Sequence, residues 1–373
     1  MTKWVLIVDP RNLVLGNENS KKRHQVYAER LAEKSAEQIS LGIIRFKNGH
    51  AHLVEQLDGL LVVNLPKNPL TLLIYLCKAF QNPVLMDTKV LVAGDPWESF
   101  IFAKFIQRLL STSPKIQTQI HGDIGNLMWI RANSRNRARG LLATRTLSRT
   151  DQIRATSNKH AISIVKRFNL SPMKVKVSPV PSLLSETLVS INLKKPRPAT
   201  LGFVGRLQDD RGLSDFLKLV TKLRASSAEF SIVIAGSGPR KRIFESDLGK
   251  ILNPEKVMFL GELNLSEMEG AWRKIGVLVS TAPTESYGRA IREAIFNGIP
   301  VWAIPSTGST SLKESMAGEG VLLLDLDLSP NQLRAQFSAL QGMEIDFRDR
   351  EELARLDREA IAALIDSWIE LAQ

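Results

Sequence analysis

The chain has a single cysteine, Cys77, in 373 residues. That excludes an internal disulfide framework, and its place in the apolar run Leu72–Phe80 reads as core packing rather than a reactive thiol. Long hydrophobic runs are missing too. None approaches the roughly 18 apolar residues of a membrane span. Repeats at solenoid spacing and low-complexity tracts are also absent. The opening MTKWVLIVDP has a short apolar run ending at Asp9, which reads as a first β-strand and not as a signal peptide. The expected location is therefore cytoplasmic. Acidic residues are scarce in one stretch: residues 101–200 hold 3 of them against 18 Lys and Arg.

The charge is uneven as a whole. Residues 1–200 carry 30 basic and 13 acidic side chains, and the remainder carries 20 and 25. A basic first half on an acidic second half suggests that the first half faces an anion. The run RANSRNRARGLLATRTLSRTDQIR, residues 131–154, holds seven arginines, with Arg135 and Arg139 four apart on one helical face. Two readings are open: a surface for anionic lipid or a lipid-phosphate carrier at the inner face of a membrane, or an ordinary arginine-rich face. Nucleic acid is disfavoured, because Trp129 stands nearby without the interleaved aromatics that stacking on bases requires.

Length favours two domains. Short apolar runs alternate with helical periodicity in both halves. In the first they are Trp4–Val8, Ile43–Phe46, Leu60–Val63, Val90–Ala93, Ile116–Ile120, Ile153–Thr156 and Val175–Ser178. In the second they are Leu201–Val204, Phe230–Ala235, Val257–Leu260, Val277–Ser280, Val301–Ile304 and Val321–Leu324. The alternation predicts an α/β protein with two doubly wound, Rossmann-like parallel sheets. Pro179, Pro181, Pro196 and Pro198 mark a linker over residues 179–200. The expected domains are 1–181 and 182–355. The amphipathic C-terminal helix, about 356–373, is free in this reading to pack back on the first domain.

The most informative stretch is ESYGRAIREAIFNGIPV, residues 285–301. Glu285 falls in a loop after a strand. Glu293 falls about two turns into a helix, and Gly288 lies between them. Carboxylates so placed can accept from sugar hydroxyls, while backbone N–H groups at the helix start suit a phosphate. Taken alone, the pair is equally well an ordinary helix-start carboxylate and a solvated helix residue. LGFVGRLQDDRG, residues 201–212, adds Gly205 at a strand-end turn and two cations, Arg206 and Arg211, aimed at the carboxyl edge of the sheet. Paired guanidinium groups suit a diphosphate whose charge grows as it departs. IVIAGSGP brings Gly236 and Gly238, and VMFLGELN ends a strand at Gly261; both turns offer backbone groups to a ligand.

In order and spacing these four pieces resemble the C-terminal half of family-4 glycosyltransferases of the GT-B fold, strongly over residues 200–312 and weakly before them. The resemblance implies two Rossmann-like domains facing each other across a cleft. It also implies a retaining hexosyl- or related transfer (an EC 2.4 activity) from a UDP-, GDP- or other nucleotide diphosphate sugar. No metal or other cofactor is required in that family, and the acceptor would be a glycan or lipid-linked glycan of cell-surface assembly. On this resemblance Glu293 matches the glutamate that holds the donor ribose, and Glu285 the one at the transferred sugar. Arg206 matches the arginine at the diphosphate, and Arg211 stands where the family usually has lysine. The backbone at Tyr287 and Gly288 lies near the donor. In the first half, His121 of IQTQIHGDIGN is similar to the family's strand-end histidine facing the donor sugar. No nucleophile is evident, so leaving-group assistance is the expected mechanism. Asp95 either lies in the same cleft or caps the helix after it.

Departures bear on the acceptor. The expected loop over residues 9–31 has only Gly16, and Lys21, Lys22, Arg23 and His24 occupy it, which hints at an anionic acceptor. Arg289 follows Gly288, and Ser306-Thr307-Gly308 replaces a double glycine. Three rivals remain at this level: a sugar-nucleotide epimerase of the same fold, a nucleic-acid-binding protein using the basic half, and an inactive donor-binding subunit.

Overall fold

The structure is a computed structural model that describes residues 2–47, 53–68, 71–72, 82–184, 197–315 and 318–373. Cys77 and most of the linker, residues 185–196, lie outside the described residues. The chain divides into two compact units, residues 1–180 with 359–373, and residues 181–358. Among the described residues, no helix is long and apolar enough to cross a membrane.

The first unit is built on an eight-stranded sheet in the order β3-β4-β2-β1-β5-β6-β7-β8. Its strands are β1 (Lys3–Asp9), β2 (Ile39–Lys47), β3 (Val54–Leu57), β4 (Leu60–Pro66), β5 (Thr88–Ala93), β6 (Lys115–Gln119), β7 (Gln152–Ala155) and β8 (Val175–Val177). Central strands such as Val5–Val8 are buried throughout, as a sheet covered on both faces requires. Every apolar run read as a strand lies on one. The antiparallel pairing of β3 with β4 was not read, because Val54–Leu57 is short and only half-buried.

Helix α1 (Glu18–Lys34) corrects one expectation: the loop after β1 ends at Asn17, not at residue 31. Asn17 accepts from Ser20 N and starts the helix, and Val26, Tyr27 and Leu31 bury its inner face. Lys21 is therefore not a loop cation awaiting a ligand; it pairs with Glu18 and Asp58, both at 2.8 Å. Further helices of the unit, besides the short turn of helix Pro83–Met86, are α2 (Glu98–Leu109), α3 (Leu127–Arg131), α4 (Ser134–Leu147) and α5 (Asn158–Phe168).

The second unit has six parallel strands in the order β11-β10-β9-β12-β13-β14. They are β9 (Thr200–Val204), β10 (Ser231–Ala235), β11 (Val257–Gly261), β12 (Val277–Ser280), β13 (Val301–Ala303) and β14 (Val321–Leu323). Numbered from its own first strand, this is the doubly wound order 3-2-1-4-5-6, which reverses direction between β9 and β12. Loops leaving the carboxyl ends of those two strands diverge there and leave a crevice. The helices that matter for it are α6 (Leu213–Ala225), α7 (Lys241–Ile251), α8 (Leu265–Trp272), α9 (Arg289–Phe296), α10 (Thr307–Lys313) and α11 (Pro330–Gly342).

The last helix, α12 (Phe347–Ala372), serves both units. Leu353 and Ala354 pack in the second unit's core. Asp357 accepts from Ser182 N at 2.6 Å and Leu184 N at 3.0 Å. Further along, Trp368 is fully buried in the first unit and its Nε1 donates to Gln117 at 2.8 Å.

Candidate active site

Loops from the carboxyl edge of the second sheet interlock through backbone. Leu207 N donates to Ser237 O at 2.9 Å, and Gly236 N donates to Gly261 O at 2.6 Å. A Cβ on Gly236 (φ +143°) would lie 1.9 Å from Gly205 O, and one on Gly212 (φ +66°) would lie 1.7 Å from Thr281 O. These glycines are needed for loop-on-loop contact. Gly238 has the same packing role, since a Cβ there would strike Leu207 O at 2.4 Å. Gly205 takes a positive φ, +153°, at the strand-end turn, and Gly261 likewise, +75°. Arg240 forks onto Asp209 at 2.6 and 3.0 Å and straps the same loop from outside.

At the reversal point Arg211 and Glu285 meet directly, Nη1 to Oε2 at 2.6 Å. The other oxygen of Glu285 accepts from Gly288 N, the N-cap of α9, at 3.1 Å. The carboxylate thus serves a cation and the positive end of a helix together. Val204, Arg211, Thr281, Ala282, Glu285 and Gly288 line one recess there. The Ser306–Gly308 turn closes on it, with Gly308 N donating to Glu285 O at 2.7 Å. Arg206 stands on the adjoining turn, exposed and without an ion pair among the described residues. Glu293 is half-buried on α9 and pairs with Arg289 at 3.3 Å. So Arg211, Glu285 and Gly288 come together in the recess. Arg206 and the Gly236–Gly238 turn flank one another beside it.

Sequence reasoning missed Arg292. It is 8% exposed, its guanidinium lies 3.8 Å from the centroid of the Tyr287 ring, and it donates to the Tyr287 carbonyl. Desolvation lowers its pKa, opposed by Tyr287 and Glu285. It stays a cation, because arginine does not deprotonate in proteins. It fixes the Tyr287–Gly288 backbone from below. A basic residue between Ile291 and the apolar pair Ala294 and Ile295 was the available signal.

In the first unit the reversal lies between β1 and β5, and an ion pair marks it: Arg11 and Asp95, 2.6 Å apart. Asp95 also accepts from Trp97 N (3.0 Å) and Ser99 N (3.1 Å), so it caps the start of α2, one of the two roles left open for it. Trp97 stacks on Trp129, with centroids 6.1 Å apart, and Arg139 lies 4.8 Å over the Trp97 ring.

His121 sits just past β6 and is open to solvent. Desolvation first, then the Arg154 and Arg23 guanidinium groups, lower its pKa to about 3. Crowding by protein, not sealing from water, desolvates this ring, and it is neutral at pH 7. Beneath it lies a second histidine that sequence reasoning did not single out. His160 is fully buried, its Nδ1 accepting from Thr156 N at 3.3 Å, with Thr156 Oγ1 at 2.9 Å. Because Nδ1 accepts, Nε2 carries the proton and donates to Gly122 O at 3.0 Å. His160 therefore anchors the His121–Gly122 turn in one tautomer. The pattern S-N-K-H over residues 157–160 signals only a helix start, with Ser157 as its cap.

Two parallel α/β units, the second with its loops gathered at the switch point, have the architecture of GT-B glycosyltransferases. Residues 185–322, within the second unit, match the family model described as glycosyl transferases group 1. A curated relative, the 2-deoxystreptamine glucosyltransferase of Streptomyces kanamyceticus, is 26% identical over 103 residues, 28% of this chain. The aligned segment spans only 27% of that relative's length. Among solved structures, sucrose-phosphate synthase from Thermosynechococcus elongatus superposes with a TM-score of 0.68 at 17% identity, covering 99% of this chain and 96% of that one. Anabaena HepE in complex with UDP-glucose gives 0.65 at 15% identity, covering 98% and 99%. At these identities the solved structures speak for the fold.

Proposed function

We propose that this protein is a retaining glycosyltransferase, with a nucleotide diphosphate sugar held by the second unit and the acceptor served by the first. The Arg211–Glu285 pair at the switch point of the second sheet carries this reading. Doubly wound sheets bind ligands at that point. The neighbour HepE was solved with UDP-glucose, which favours a UDP-sugar among the candidate donors. Arg206, exposed beside the recess, is the cation free to meet the diphosphate, and Arg211 adds a second once the donor's charge competes with Glu285. Glu285 accepts from the transferred sugar and Glu293 from the ribose. His121, neutral, donates to the sugar or accepts from it. In this reading retention rests on leaving-group assistance by the two arginines. A glycan or lipid-linked glycan of cell-surface assembly is the acceptor class in this reading.

The test is a panel of labelled UDP- and GDP-sugars incubated with the full-length protein, with and without membranes. Formation of a glycoside of unchanged anomeric configuration, with release of nucleoside diphosphate, is expected. Isomerised donor formed without acceptor would replace this reading with an epimerase.

A further inference from the structure

Helices α3, α4 and α5 succeed one another between residues 127 and 168. Each turns an apolar residue outward between cations. On α3, Trp129 and Ile130 are buried, so Leu127, Met128 and Arg131 share the outer side. On α4 the buried stripe is Asn136, Gly140, Ala143 and Leu147, which leaves Ala138, Leu141 and Arg145 opposite, flanked by Arg135 and Arg137. On α5, His160, Ile164 and Phe168 are buried, so Lys159, Ile162 and Lys166 face out. Leu141 is 75% exposed, Ile162 67%, Met128 61% and Leu127 48%. α3 packs on α4, and α4 on α5.

The charge of this layer is one-sided. Residues 127–176 contain twelve Lys and Arg and one carboxylate, Asp151. That carboxylate, though exposed, is engaged by backbone, accepting from Ile116 N at 2.7 Å. Arg131, Arg135, Arg137, Arg145 and Lys166 form no ion pair among the described residues. An ordinary solvated face mixes both signs, as α1 does with Glu18–Lys21 and Arg30–Glu33. Cations on three successive helices with a large aliphatic side chain between them suit one partner: a sheet of anionic headgroups with hydrocarbon beneath. Polynucleotide would engage the cations but not Leu141 and Ile162.

We infer that the outer face of α3, α4 and α5 is a docking surface for an anionic lipid bilayer. The arginines and lysines sit among the headgroups, and Leu127, Met128, Leu141 and Ile162 reach the acyl boundary. Binding is then reversible and salt-sensitive, since the charges act over a screening length of about 10 Å at 0.1 M salt.

The test is co-flotation of the full-length protein with vesicles of phosphatidylcholine alone, or with phosphatidylglycerol added to roughly one third, the anionic surface that attracts basic segments. No sugar nucleotide is added, so the result stands apart from any transferase activity. Capture by the anionic vesicles only is expected, weakening as salt rises. The triple variant Arg135→Glu, Arg137→Glu, Arg145→Glu should lose at least about tenfold in affinity, as removal of headgroup contacts requires. Leu141→Ser with Ile162→Ser should weaken binding several-fold and leave its salt dependence unchanged. All of these positions are exposed, so melting curves should match wild type. Equal capture of wild type and the charge-reversed variant would overturn the inference, as would tighter binding to a DNA duplex than to vesicles at the same salt.

Discussion

The two units share an architecture and differ in charge and titration. The first, residues 1–180 with 359–373, has 27 Lys and Arg against 15 Asp and Glu; the second, residues 181–358, has 23 against 23. The whole net charge of +12 therefore sits on one unit. All five histidines sit there as well. Each sheet has an Arg–carboxylate pair at its reversal point, Arg11–Asp95 in one and Arg211–Glu285 in the other. The first pair has its carboxylate buried and spent on a helix cap. The second lines a recess, half-exposed, with a glycine-capped helix behind it. On the proposed function the same motif is structural in one sheet and a ligand site in the other, and the difference between them in the structure is burial.

Removing the site cations and acids should break the comparison most sharply. Arg206→Ala and Glu285→Ala should each cost about a hundredfold or more in kcat/KM with the fold intact, whereas Arg11→Ala should not. Steady-state kinetics with circular dichroism checks this. Next is Gly212→Ala, which drives a Cβ onto Thr281 O and should destabilise the second unit by about 2–4 kcal/mol in denaturant titration. Arg292→Met should cost about 1–3 kcal/mol in the same unit, because the Tyr287 carbonyl loses its buried donor.

Acid should separate the units. His24 and His121 have pKa values lowered to about 4 and about 3, and His160 is lowered as well. The unfolded chain therefore binds protons below pH 6.5 that the folded first unit does not, and its stability falls as pH drops from 6.5 toward 4. The second unit has no histidine, and burial raises the pKa of its Asp357, which favours the fold on acidification. Two melting transitions that move apart between pH 7 and 5 are the expected observation, and His24→Asn should narrow the gap. The smallest effect is kinetic: His160→Gln should lower kcat about tenfold with KM little changed, through a looser His121 turn. Partial rescue by His160→Asn over His160→Ala would distinguish anchoring from packing.

Much of the fold was legible in the sequence because buried parallel strands are written as apolar runs. Val5–Val8 and Ile232–Ala235 could hardly be anything else. The loops carrying Arg206, Arg211 and Glu285 were legible as strand ends. Hydrogen-bond direction was not. Arg211 and Glu285 were read as two grips on one ligand, and they hold each other. The glycine turns were read for the backbone groups they offer a ligand; that Gly212, Gly236 and Gly238 also make room for neighbouring loops is a contact between segments distant in the chain that no local pattern encodes. Arg292 was hidden because a buried arginine looks, in sequence, like a solvated one.

The most direct measurement is calorimetric titration of the full-length protein with UDP-glucose and related nucleotide sugars, set beside the Arg206→Ala and Glu285→Ala proteins. One nucleotide sugar should bind wild type and lose at least about tenfold in affinity to each variant, the effect of removing a charge-assisted contact. Identical affinity in all three proteins would contradict a donor site at the β9–β12 edge.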